Sequence, residues 1–164
     1  MIQTIESFVN YFEGVRRRTM NYLRVIPPEK FEWAPKEGEF TCGDILRHII
    51  AAEEMFTDLV MEGRWKYPGH ENVNGHGLEE TLAQLESNHA DAMNRLKELP
   101  DEVLPELRPS LNGPPVKVWR WLMAMAEHEI HHRSQLAVYL SLMGIEPPQI
   151  YGLGVEDIIA LTAG

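Results

Sequence analysis

The chain has 164 residues, 44% of them hydrophobic and 24% charged, with a formal net charge of −10. This is the profile of one soluble globular domain spanning 1–164, large enough to bury a core without a disulfide or metal staple. The acidity excludes the basic stripe that a nucleic-acid footprint needs. A single cysteine, Cys42, excludes an intrachain disulfide and any thiolate-built zinc or iron–sulfur site, which turns metal chemistry toward the seven histidines and the carboxylates.

The one basic run, Arg16-Arg17-Arg18, falls inside a predicted helix and reads as a solvated face. No stretch approaches the length of an apolar membrane span. The first residues lack the charged-then-apolar-then-small order of a secretion signal, so the expected compartment is the cytoplasm.

Four segments carry helical periodicity. The first runs from about Thr4 to Ile26 and stops at Pro27-Pro28, because proline lacks the donor and restricts the residue before it. The second opens at Thr41, where Thr41 and Asp44 have the spacing of a capping box, and runs to about Glu62. Residues 63–77 form a turn-rich linker long enough to return along a helix, which permits the second and third helices to be parallel without requiring it. The third helix spans about Leu78–Leu99, and the fourth about Val116–Met143, with Gly144 placed to close it. A short helix near Val155–Leu161 follows in the tail. Strand signals are weak throughout, and the pattern predicts an all-α four-helix bundle.

The histidines separate on a helical wheel. In the fourth helix, His128 and His132 fall within the apolar arc defined by Val118, Trp121, Leu122, Met125, Leu136, Tyr139, Leu140 and Met143, one turn apart. His131 falls on the polar side with Arg120, Glu127 and Gln135. Two imidazoles at i and i+4 can chelate one cation from one helix face, and an apolar arc offers them few other partners. His48 lies in the apolar stripe of the second helix, between Ile45 and Ala52. Three neutral imidazoles from two helices make an open metal site of the catalytic kind, with room for water or substrate. The alternative is that each is a core histidine satisfied by a backbone group or a carboxylate.

His89 lies at the centre of the third helix's apolar stripe and reads first as a satisfied core histidine, with a fourth ligand or pocket acid/base as alternatives. His70 and His76, in the glycine-rich linker, read as exposed. Glu129 sits near the edge of the inward arc. It is either an acceptor orienting a ligand imidazole, a general base, or a surface glutamate paired with Arg133. A second weakly polar face of the fourth helix (Trp119, Met123, Ala126, Ile130, Ala137, Ser141) points to a homodimer or to a contact with the tail.

The run HEIHHRSQLAVYLSLMGIEPPQIYG at 128–152 resembles the signature of the DinB family, as does FEWAPKEGEFTCGDILRHIIAAEEMF at 31–56. The resemblance implies a bundle of up-down-down-up order, a divalent metal, zinc or nickel, on His48, His128 and His132, and frequent homodimers. It also implies one of three functions: transfer of a low-molecular-weight thiol to an electrophile, metal-dependent hydrolysis, or metal binding without turnover. The family usually has glycine where this chain has Ser134, which bears on helix contacts there and not on the ligands. Cys42 reads as packing, so any reacting thiol is expected to arrive with the substrate.

Overall fold

The computed structural model describes residues 2–73 and 77–163, so the expectation for His76 lies outside the described residues. Four long helices dominate: α1 (Ile5–Leu23), α2 (Cys42–Glu62), α3 (Leu78–Lys97) and α4 (Val118–Leu142). A fifth, α5 (Val155–Thr162), follows, and all eight of its residues are exposed.

Local chemistry sets the helix ends. Thr41 Oγ1 accepts from the Asp44 amide at 2.9 Å while the Asp44 carboxylate accepts from the Thr41 amide at 3.0 Å, the reciprocal capping box expected at the start of α2. Gly63 takes a left-handed conformation (φ 71°) at the end of α2. Gly144 does the same (φ 76°) just past α4, where the Ile145 amide returns to the Leu140 carbonyl. The fourth helix begins two residues later than its periodicity predicts. Val116 and Lys117 (β2) instead pair antiparallel with Leu107 and Arg108 (β1), forming a two-residue hairpin.

Side-chain pairings fix the helix directions. Glu53 meets His89 and Asp58 meets Arg95, so α2 and α3 advance together and are parallel. His48 meets His128 while Phe56 meets Trp121, so α2 and α4 are antiparallel. The first helix lies against α3 and α4, with α2 diagonal to it. The order is up-down-down-up. Such an order needs a connection that returns along α2, and the linker supplies it. Trp65 packs on Phe56, Tyr67 reaches His48 and His70 reaches Phe40, tracing α2 backward toward its start.

Two apolar layers fill the bundle. One contains Phe8, Phe12, Phe56, Leu96 and Leu122, and the other Leu23, Ile45, Ile49, Leu85 and Leu140. Between the two layers each helix carries buried polar side chains: Arg16 and Thr19 on α1, Glu53 on α2, His89 on α3, and Glu129 and Arg133 on α4.

The start of α2 is packed tightly against the preceding loop. A Cβ on Gly43 would come within 2.8 Å of the buried Phe31 ring. Gly43→Ala is therefore expected to lower stability by about 1–3 kcal/mol, as overpacking does elsewhere, measured by urea unfolding. An unchanged midpoint would show that the ring yields freely.

Candidate metal centre

Three Nε2 atoms converge between α2 and α4. His128 Nε2 lies 3.0 Å from His48 Nε2 and 3.2 Å from His132 Nε2. Zinc–imidazole bonds of about 2.0–2.1 Å put the nitrogens of a tetrahedral site about 3.3 Å apart, so the donors stand close to the spacing that one cation requires. Among the described residues, this group of close metal-ligating side chains is composed of imidazoles alone. The wheel's choice of His128 and His132 over the exposed His131 corresponds to the residues brought together here.

The far sides of two rings are held. His48 Nδ1 lies 2.7 Å from the Tyr67 hydroxyl, and His132 Nδ1 lies 3.0 Å from Gln135 Oε1. Outer partners of this kind orient metal-binding imidazoles. Aromatic rings wall the group on both flanks. Phe56 stands 6.0 Å from the His128 ring, with Trp121 and Trp65 beyond it, and Phe40 stands 5.7 Å from the His48 ring.

His70, expected to be exposed, is half-buried against Phe40, with ring centroids 4.8 Å apart, and its ring lies 6.3 Å from that of His48. The reason is the returning linker, which carries His70 and Tyr67 over the site. Neither could be placed there from periodicity, because the linker has none. Gln135 was also missed, since the wheel put it on the polar side; it reaches His132 from the margin of that side.

Burial, and after it the neighbouring imidazoles, pushes His48 down to about 4 and His128 down to about 3. Burial lowers His132 as well. All three rings are thus neutral donors at neutral pH, the form in which an imidazole can bind a metal. In the metal-free protein the sign follows directly. The unfolded chain binds protons on His48 and His128 near pH 6.5 and the folded chain does so only well below, so stability falls as pH drops from about 6.5 toward 4. Urea unfolding of the metal-free protein is expected to show this decline between pH 7 and 5. It should be shallower in a His48→Ala/His128→Ala variant, and an equal slope in both would contradict the assignment.

Glu129 lies elsewhere. It is 2% exposed, and both carboxylate oxygens accept from Arg16, at 2.8 Å from Nη2 and at 3.1 and 3.2 Å from Nε. The same guanidinium donates to Glu53 at 2.9 Å, and His89 Nδ1 donates to the other Glu53 oxygen at 2.6 Å. Each of the four long helices gives one member to this network. Arg16 is therefore buried, not part of a solvated basic face, and Glu129 is not a surface partner of Arg133. His89 is a core histidine whose Nδ1 bonds a carboxylate, while its buried Nε2 has no hydrogen-bond partner among the described residues and stands 3.5 Å from a Glu13 oxygen. Burial opposes ionisation of Glu53, but Arg16 and His89 outweigh it and hold the carboxyl below its usual range. Cys42 is buried at the start of α2, which pushes its thiol up to about 11 and leaves it unreactive.

Residues 1–160 match the model of the DinB family. The chain is 25% identical over 161 residues to the YrdA protein of Bacillus subtilis (strain 168), covering 96% of this chain and 93% of that one. A DinB-like protein from Bacillus cereus ATCC 10987 has a similar structure, with a TM-score of 0.73 at 25% identity, covering 91% of this chain and 99% of that one. The DinB-like YjoA protein of Bacillus subtilis gives a TM-score of 0.71 at 23% identity, covering 88% and 96%.

Proposed function

This chain belongs to the DinB family, and on that footing we propose that it is a divalent-metal-dependent enzyme that transfers a low-molecular-weight thiol to an electrophilic small molecule. The observation that carries the reading is the convergence of three neutral Nε2 donors, two of them oriented by outer partners. His48, His128 and His132 would hold the metal, zinc or nickel. A cation on three imidazoles keeps a position open for a thiol and favours its thiolate, the nucleophilic form.

The surroundings favour thiol transfer over hydrolysis. Activating water on a metal commonly enlists a carboxylate base, and of the two glutamates that flank His128, Glu129 is committed to Arg16 and Glu127 pairs with Arg120. Thiol transfer needs less: the S–H proton passes to solvent, the sulfur lone pair forms a bond to the electrophilic carbon, and the leaving group departs with its bonding pair. The aromatic flanks formed by Phe40, Phe56 and Trp121 suit an apolar electrophile. On this reading Glu129 holds helices together and takes no part in proton transfer.

The test follows loss of a small thiol against a panel of electrophiles, with and without added zinc or nickel. Metal-dependent thiol loss with a matching thioether product is the expected result. Product formed without thiol consumption would assign hydrolysis instead. One bound metal with no turnover in either assay would leave a metal-binding protein acting through its surface.

The proposal includes a homodimer. Val138 and Leu142 on α4 and Val155, Ile158, Ile159 and Leu161 on α5 are at least half exposed, apolar side chains of the kind a second copy would cover. Sedimentation of the purified chain at micromolar concentration should give twice the chain mass of 18.8 kDa; a monomer would refute this part alone. No described helix is long and apolar enough to cross a membrane.

A further inference from the structure

We infer that the Phe40 backbone carbonyl, acting through Tyr139 and Gln135, fixes the tautomer of His132 and so turns its Nε2 lone pair toward the other two imidazoles. Four groups form an unbroken chain. The Tyr139 hydroxyl lies 3.1 Å from the Phe40 carbonyl oxygen, Gln135 Nε2 lies 3.2 Å from the Tyr139 hydroxyl, and Gln135 Oε1 lies 3.0 Å from His132 Nδ1.

The direction of the chain follows from its end. A carbonyl oxygen can only accept, and a phenol has one hydrogen, so Tyr139 uses that hydrogen on Phe40. Its oxygen is then an acceptor and takes an N–H from the Gln135 amide. The amide oxygen faces His132 and accepts from Nδ1–H, leaving Nε2 unprotonated. Reversing the amide would set its oxygen against a phenol oxygen with no hydrogen left to give, so the network rejects the flip. The Tyr139 ring is itself fixed: it is 4% exposed and packed edge-on against Trp33, with centroids 5.6 Å apart.

Gln135 and Tyr139 are therefore positioning residues. They act on the site through His132, from positions one and two turns further along α4. Phe40 joins the two sides of the site, since its carbonyl ends this chain while its ring packs on His48. That the arrangement serves metal binding rests on the function proposed above; the tautomer itself does not.

Two measurements on the full-length protein separate these statements. Nitrogen-15 NMR of the metal-free protein at pH 8 reads which ring nitrogen of His132 carries the proton. The expected result is Nδ1–H in the wild type and a shift toward Nε2–H in Gln135→Met. A wild-type proton on Nε2 would overturn the inference whether or not metal binds. Zinc affinity by chelator competition is the second readout. Gln135→Met should weaken binding about 10–100-fold, whereas Gln135→Glu, which still offers an acceptor to Nδ1–H, should stay within a few-fold of wild type. Equal losses in both variants would reduce Gln135 to a packing role and overturn it as well. Absence of zinc binding by the wild type would defeat the metal reading and leave the tautomer result standing.

Discussion

Replacing Arg16 with methionine is expected to cost about 3–5 kcal/mol, a large part of the stability of an ordinary domain. Arg16 is 4% exposed and holds two carboxylates, Glu53 and Glu129, that are 3% and 2% exposed. Removing the guanidinium leaves both anions in the interior, with only His89 Nδ1 still bonded to one of them. Burial alone would push Arg16 toward losing its proton, yet the two carboxylates outweigh it and the group is held more firmly cationic than usual. The loss comes from stranding the partners, so it is conditional on their charge. A variant carrying Arg16→Met together with Glu53→Gln and Glu129→Gln should regain much of the lost stability, because removing a whole buried ionic group is far less damaging than removing one member. Urea unfolding of the wild type, the single variant and the triple variant checks this. A single variant within 1 kcal/mol of wild type would show that water reaches the carboxylates.

The second large effect concerns His128. Its Nε2 is the one within 3.2 Å of both other Nε2 atoms, so it bridges His48 on α2 and His132, its neighbour on α4. His128→Ala leaves two donors on different helices and is expected to weaken zinc binding more than 100-fold, well beyond the 10–100-fold typical of losing an outer partner. Helical content should persist, because the apolar layers and the Arg16 network do not depend on this ring. His131→Ala is the matched control: it removes an exposed imidazole beside His132 and should leave affinity unchanged. Equal losses in the two variants would mean that the effect is general to α4 and not specific to the converging ligands.

The contrast between His128 and His131 shows how much was legible in the sequence. On a helix, direction follows position, so a wheel separates inward from outward histidines. Caps were legible for the same reason: Thr41 and Asp44 act on a backbone whose geometry is local. What escaped was whatever depends on two distant segments meeting. Tyr67 and His70 come from a linker with no periodicity, and only its return along α2 brings them to His48. The basic run containing Arg16 suggested a solvated face because a buried arginine is improbable until its partners are known. Those partners lie 37 and 113 residues away, on α2 and α4. Glu129 reads in the sequence as an acceptor for a ligand imidazole, a general base or a surface partner of Arg133, and its bond to Arg16 depends on a residue 113 positions away.

On the proposed function, three imidazoles from α2 and α4 hold one divalent cation. Calorimetric titration of the chelator-treated wild type with zinc, beside a His48→Ala/His132→Ala variant, tests it most directly. The expected result is one equivalent of zinc per wild-type chain and no saturable binding in the variant. No binding by a fully folded wild type, or the same stoichiometry and affinity in the variant, would contradict it.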